Sequence, residues 1–425
     1  MPFCSWSPFE CFIEAGWHLA EGILAGLRVV EGSAFVAAPL GGMTLAQLGA
    51  EVIRFDPIGG GLDARRWPVS ANGVSLFWAG MNKGKKSIAI DIGKPAGQEL
   101  ASALITAPGP NAGLFLTNFP PRGWLNYDAL RKARQDLIHV NVLGDRHGGS
   151  AVDYTVNPRV GFPAITGPAE DPRPVNHVLP AWDHICGQMA AVGVLAAERH
   201  RRLTGAGQYV KLALLDVALA TLGHMGFIAE AQINQHERGR YGNELFGAFG
   251  RDFPTRDGRR IMVVGLTTRQ WDNLCKATGL RDAFEAAVTD LHVNLGLEGD
   301  RFRARAELAP VLGAWMAARN FAQIVATFST HDVCFGPYQS IRELLETDAE
   351  ASVQNPLFTH QFQSGVGHYL MPGSPLRFST AANPDARPAP RLGEHTDEIL
   401  AEVLGLSASA IGALHDDKLI AGAQP

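Results

Sequence analysis

The stretch LRVVEGSAFVAAPLGGMTLAQLGAEVIRFD, residues 27–56, decides the fold. It opens on the apolar run LRVVEG, passes through small and apolar residues from Pro39 to Leu48 that Gly49 ends, and closes on a second apolar run, EVIRFD. Short β-branched runs on either side of a helical segment form a β-α-β unit. The alternation continues outward. KSIAID (86–91), GLFLT (113–117) and LIHVNVLG (137–144) read as strands, with helices at about Pro95–Ile105 and Tyr127–Arg134 between them. Strands spaced by helices predict a mostly parallel sheet with helices over its faces.

Beyond this unit, 144–182 is rich in Gly and Pro and reads as irregular. A long helix from about Asp183 to Arg202 follows, then the turn TGAGQ and the run YVKLALLD. After residue 240, GAFGRDFPTRDGRRIMVVGL (247–266) reads as a hairpin turning at Asp257-Gly258, leading into short helices. The expected division is an N-terminal extension (1–21), a large Rossmann-like domain (22–225), a linker (226–240), a small α+β domain (241–345), and a linker with a C-terminal return to the large domain (346–425). The fold class is therefore α/β, with a parallel-sheet large domain and a smaller α+β domain.

Composition removes several kinds of function. With 37 Lys and Arg against 42 Asp and Glu, the formal charge of -5 gives no field for nucleic acid or an anionic membrane. No apolar run reaches the roughly 20 residues that cross a bilayer. The first 21 residues lack a basic start and carry Glu10 and Glu14, unlike a secretory signal. The five cysteines are scattered without a CxxC pair, which suits free thiols in the cytoplasm. The fourteen histidines form no H-E-x-x-H or other close metal pair, so no metal site is expected.

The first βα turn, EGSAFVAAPLGG, lacks G-x-G-x-x-G, so Asp56 reads as a loop acid or cap rather than a ribose ligand. Lys83, Lys85 and Lys86 precede a strand and read as a solvated face. Lys94, Asn118 and Arg122 fall at the carboxyl ends of strands, where parallel α/β sheets bind ligands. Asp183 opens a helix. It can be a plain N-cap, or a carboxylate that the helix terminus keeps ionised for nucleophilic attack, and the residues alone leave both open. His184 beside it points to another helix face.

Several further stretches carry a family resemblance: GLRVVEGSAFVAAPLGGMTLAQLGAEVIRFDPIGG (26–60), NKGKKSIAIDI (82–92), TNFPPRGW (117–124), the segment from Asp183 through TGAGQYVKLALLD, DGRRIMVVG (257–265), FGPY (335–338) and PRLGEHTDEIL (390–400). From about residue 22 to its end the chain resembles class III CoA-transferases. The resemblance implies an interlocked, ring-like homodimer. It implies that Asp183 attacks an acyl-CoA thioester to give a mixed anhydride and then an aspartyl-CoA thioester, with coenzyme A as part of the substrate and no permanently bound cofactor. It also implies a supporting acid at Asp153 and coenzyme contacts at Val36, Ala37, Asp91, Lys94, Asn118, Phe119 and Arg122.

Departures from the family pattern narrow the expected chemistry. Val36 stands where the formyl-CoA transferase branch has glutamine, and GNELFGAFG (242–250) where it has a glycine-rich lid. Val152 replaces the histidine of the related racemases, and a valine cannot move a proton. The runs 29–50, 53–63 and LMPGSPL (370–376) are similar to a branch that carries CoA between the two carboxyl groups of one dicarboxylate. The expected substrate is therefore an acyl-CoA dicarboxylate. Transfer to a separate acid, as from succinyl-CoA, is the alternative.

Overall fold

The computed structural model describes residues 22–423, so the expected extension 1–21 lies outside them. The chain divides into two bodies. The first comprises residues up to Val160, Val178–Phe227 and those from Ala349 onward; the second comprises Gly161–His177 and Ile228–Asp348.

The first body is built on a seven-stranded sheet of β1 (Arg28–Gly32), β2 (Glu51–Asp56), β3 (Lys86–Ile90), β4 (Leu114–Thr117), β5 (Ile138–Leu143), β6 (Gln208–Ala213) and β12 (Ile420–Ala421). The strand order is β12-β3-β2-β1-β4-β5-β6, and all neighbours are parallel except β12 on β3. Val29 lies opposite Val52 on one side and Leu114 on the other. Val30, Ile53, Ile88, Phe115 and Val140 are all buried, as continuous apolar runs must be when helices cover both faces. Because β1 sits between β2 and β4, the connections reverse direction there, which leaves a crevice beyond the carboxyl ends of β1 and β4. A separate antiparallel hairpin pairs β10 (Phe358–Gln363) with β11 (Gly367–Pro372).

The second body carries an antiparallel sheet of β7 (Phe249–Pro254), β8 (Arg260–Gly265) and β9 (Cys334–Pro337), packed on helices around Phe249, Trp271, Phe284, Leu312 and Phe328. The β7–β8 turn is the expected one, with Gly258 at φ +80° and its N-H donating to the Thr255 carbonyl (3.0 Å).

Three expectations are corrected. The stretch 144–182 contains two helices, Asp153–Arg159 and Phe162–Ile165, which its Gly and Pro content conceals. Lys83 and Lys85 are buried rather than solvated; burial pushes both ammonium groups down to about 8. Lys86 is half-buried against Glu51 and Glu398. Asp56 is neither a loop acid nor a cap, because it ends β2 buried against the Arg54 guanidinium.

The helix Ala37–Gln47 that links β1 and β2 packs on the helix Ala181–Thr204 through small residues. A Cβ on Gly187 would stand 2.8 Å from the Ala37 carbonyl oxygen, and one on Gly41 3.0 Å from that of Gly187. This close approach fixes the start of the long helix beside the β1 loop. Gly187→Val is expected to lower unfolding stability by about 1–3 kcal/mol, as forced overpacking does. Gly193→Ala, whose Cβ would meet nothing closer than 3.8 Å, is expected to be neutral or to stabilise by roughly 0.5–1 kcal/mol. Urea unfolding of the two variants checks the contrast; equal effects would contradict the packing.

Candidate active site

Two loops meet at the crevice, and Asn118 ties them together. Its side-chain carbonyl accepts from the Ala34 N-H (2.9 Å), and its amide donates to the Ala34 carbonyl (2.7 Å). Thr117 Oγ1 donates to the Gly32 carbonyl (2.6 Å). Val36 is the N-cap of the helix Ala37–Gln47 and supplies no side-chain acceptor, so no side chain caps the first N-H groups of that helix. An uncapped helix terminus at a sheet crevice is suited to a phosphate or an oxyanion. Val36, Ala37, Asn118 and Phe119 are thus brought to one place.

Glu31, Arg54, Asp56, Asp63, Asn82 and Lys85, all buried, hold the β1 loop from beneath. Arg54 contacts Asp56 (2.9 Å) and Asp63 (2.9 Å), and its guanidinium also donates to the Ser33 carbonyl (3.0 Å). Lys85 lies 2.9 Å from the Glu31 carboxylate and donates to the Pro39 carbonyl (2.8 Å). Charges removed from water this completely persist only when paired and hydrogen-bonded.

Asp183 is the third residue of its helix, which begins at Ala181, so of its two readings the plain N-cap does not hold. Asp153 does the capping. It opens the helix Asp153–Arg159, is only 1% exposed, and its Oδ2 accepts from the N-H groups of Trp182 (2.7 Å) and Asp183 (3.2 Å). Trp182 Nε1 in turn donates to Asn157 on the Asp153 helix (3.1 Å). The two acids named from the sequence, thirty residues apart, thus stand side by side.

Their proximity alters the chemistry expected of Asp183. Burial, joined by the Asp153 charge and opposed by Arg66, pushes its carboxyl up to about 7. Helix-terminus stabilisation alone favours a fully ionised acid, so this is a correction: desolvation and like charge outweigh the dipole. A carboxylate poised near neutrality is a stronger base and nucleophile than an ordinary one, yet remains partly ionised at pH 7.

The remaining expected residues lie apart from this pair. Lys94 neutralises Asp91 (3.4 Å) and donates to the carbonyls of Asp417 and Lys418 (3.2 and 3.3 Å) at the end of β3, two strands away from β1. Arg122 is exposed in the turn after β4. Two clefts, of about 700 and 570 Å³, are lined by other parts of this body, and neither wall includes Asp183 or Asp153. Sequence reasoning missed Arg66 and Phe35. The only available signals were the basic pair Arg65-Arg66 and a bulky residue in a tight loop.

Carbodiimide, which needs a protonated carboxyl, is expected to label Asp183 below pH 7 and progressively less above it. Asp153→Asn keeps an acceptor for the cap but removes the repelling charge, so its midpoint is expected to move lower. Peptide mass spectrometry reads the labelling; an unmoved midpoint would show that Asp153 does not act on Asp183.

Comparison with known proteins agrees with this architecture. A 2-methylfumaryl-CoA isomerase of Chloroflexus aurantiacus is 63% identical over 403 residues, covering 95% of this chain and 98% of that protein. A succinyl-CoA:glutarate CoA-transferase of Mus musculus is 29% identical, covering 92% of this chain and 88% of that one. A CaiB/BaiF family protein from Brucella suis shares the fold, with a TM-score of 0.73 at 23% identity over 90% of this chain and 100% of the other. The family model for CoA-transferase family III matches residues 24–396, and the chain belongs to that family.

Proposed function

We propose that this protein moves CoA from one carboxyl group to the other of a single substrate, converting 2-methylfumaryl-CoA to 3-methylfumaryl-CoA. The near full-length, 63% identical relative carries this reading. The paired acids at the head of the Ala181–Thr204 helix supply its chemistry.

In this mechanism the ionised Asp183 attacks the thioester carbonyl and expels CoA thiolate, leaving a mixed anhydride. The thiolate attacks the aspartyl carbonyl, giving an aspartyl-CoA thioester and the free dicarboxylate. The dicarboxylate turns, and its other carboxylate attacks the aspartyl thioester, expelling CoA thiolate and forming a second mixed anhydride. The thiolate then takes the substrate's acyl group and frees Asp183. Every step exchanges one activated acyl bond for another, so several easier exchanges replace one difficult one. The uncapped N-H groups near Val36 and Ala37 are suited to the carbonyl oxygen on which charge develops.

The working form in this proposal is a homodimer. On the Ala181–Thr204 helix, Ile185, Met189 and Val192 are 40%, 46% and 56% exposed at helical spacing, an apolar stripe that a second copy would cover. The interlocked ring is part of the same proposal. So is a cytoplasmic setting, in keeping with the free thiols Cys186, Cys275 and Cys334.

Purified protein incubated with 2-methylfumaryl-CoA is expected to yield the 3-methylfumaryl thioester with no added acid. Isotope-labelled free 2-methylfumarate added to the mixture is expected to stay out of the product. Incorporation of label at the rate of conversion, or a strict need for an added acid, would replace this reading with transfer between separate molecules.

A further inference from the structure

Arg66 has its backbone pinned and its head group uncommitted. Its N-H donates to the Asp63 carbonyl (3.2 Å), and its own carbonyl accepts from Ser75 Oγ (2.5 Å). Asp63 is held through its carboxylate by the buried Arg54, so residues 63–66 cannot drift far from the β1 loop. The Arg66 guanidinium stands 5.4 Å from the Phe35 ring and 5.1 Å from the Phe77 ring. Among the described residues it makes no ion pair, unlike Arg54 on β2.

The support beneath it is built with strain. Phe35 has φ +69°, a left-handed conformation that a bulky residue rarely takes, and it lies between Ala34, which Asn118 holds on both sides, and the N-cap Val36. Such strain persists where surrounding structure over-determines it, and it clusters at ligand sites. The close contact of Gly187 with Ala37 sets Asp183, one helical turn before Gly187, beside the same loop. Arg66 also pulls against the forces that raise the Asp183 carboxyl, so its charge is felt there.

We propose that Arg66 is a specificity-determining residue that grips whichever carboxylate of the dicarboxyl substrate is not joined in the thioester or anhydride. This rests on the intramolecular reading above. A planar guanidinium resting on two ring faces offers a fork that matches a carboxylate in two hydrogen bonds. The reaction needs such a group. With Asp153 and Asp183 already present, a second substrate carboxylate adds a third negative charge to a small space, and one cation offsets it. Because the two substrate carboxyls exchange roles during transfer, a single fixed cation serves both halves, holding the C4 group while C1 reacts and the C1 group while C4 reacts. A monocarboxyl thioester leaves the fork empty.

The test is equilibrium binding by calorimetry in the Asp183→Asn background, which removes turnover. The ligands are 2-methylfumaryl-CoA and crotonyl-CoA, the latter lacking the second carboxylate. Adding Arg66→Gln is expected to weaken 2-methylfumaryl-CoA by about 10- to 100-fold, as loss of a charge-assisted bidentate pair does, and to leave crotonyl-CoA within about twofold. Arg66→Lys is expected to restore part of the difference and guards against misfolding. Equal weakening of both ligands would assign Arg66 to the CoA phosphates or to structure, and no weakening of either would remove it from the site; both outcomes overturn the proposal. Succinyl-CoA against butyryl-CoA repeats the comparison without methylfumarate. Failure of the isomerase reading would thus leave the role of Arg66 separately decided.

Discussion

One carboxylate organises this site without being the proposed nucleophile. Asp153 accepts from two N-H groups at the head of the Ala181–Thr204 helix, so it fixes where that helix starts and therefore where Asp183 stands. It also brings a negative charge up to Asp183. The same contact thus positions the proposed nucleophile and, behind burial, helps to raise its carboxyl toward neutrality. Removing the side chain would forfeit a cap, and separately relax a repulsion.

The site is otherwise held by buried charge and by small residues. Arg54 joins the ends of β1 and β2 to the segment that carries Arg66, and Lys85 ties Glu31 to the helix Ala37–Gln47 through the Pro39 carbonyl. Breaking one partner in such a network leaves a charge stranded in a low dielectric, at a cost of about 3–5 kcal/mol. Gly41 and Gly187 let two helices approach closely enough to set the long helix against the β1 loop. Rigid support of this kind is what a nucleophile needs when several acyl bonds must be exchanged at one position.

The sheet was legible in the sequence because parallel strands covered on both faces appear as continuous apolar runs, and five of its strands lie within a residue or two of their expected places. The hairpin at Asp257-Gly258 was legible from turn chemistry. Lys83 and Lys85 were not, since a buried lysine and an exposed one look alike until the partner is known, and Glu31 is 54 residues from Lys85. The helix Asp153–Arg159 was hidden by the Gly- and Pro-rich stretch around it. Asp183 and Asp153 were both named, but their capping contact spans thirty residues and no local pattern encodes it. Arg66 went unnamed because its place depends on Phe35 and Phe77, one before β2 and the other after it, meeting across a loop.

The proposed chemistry passes an acyl group through the side chain of Asp183. Quenching the enzyme with hydroxylamine during turnover of 2-methylfumaryl-CoA, followed by peptide mass spectrometry, reads this directly. The expected result is a hydroxamate on Asp183 that forms only when thioester is present. A hydroxamate on another residue, or none during steady conversion, would contradict it.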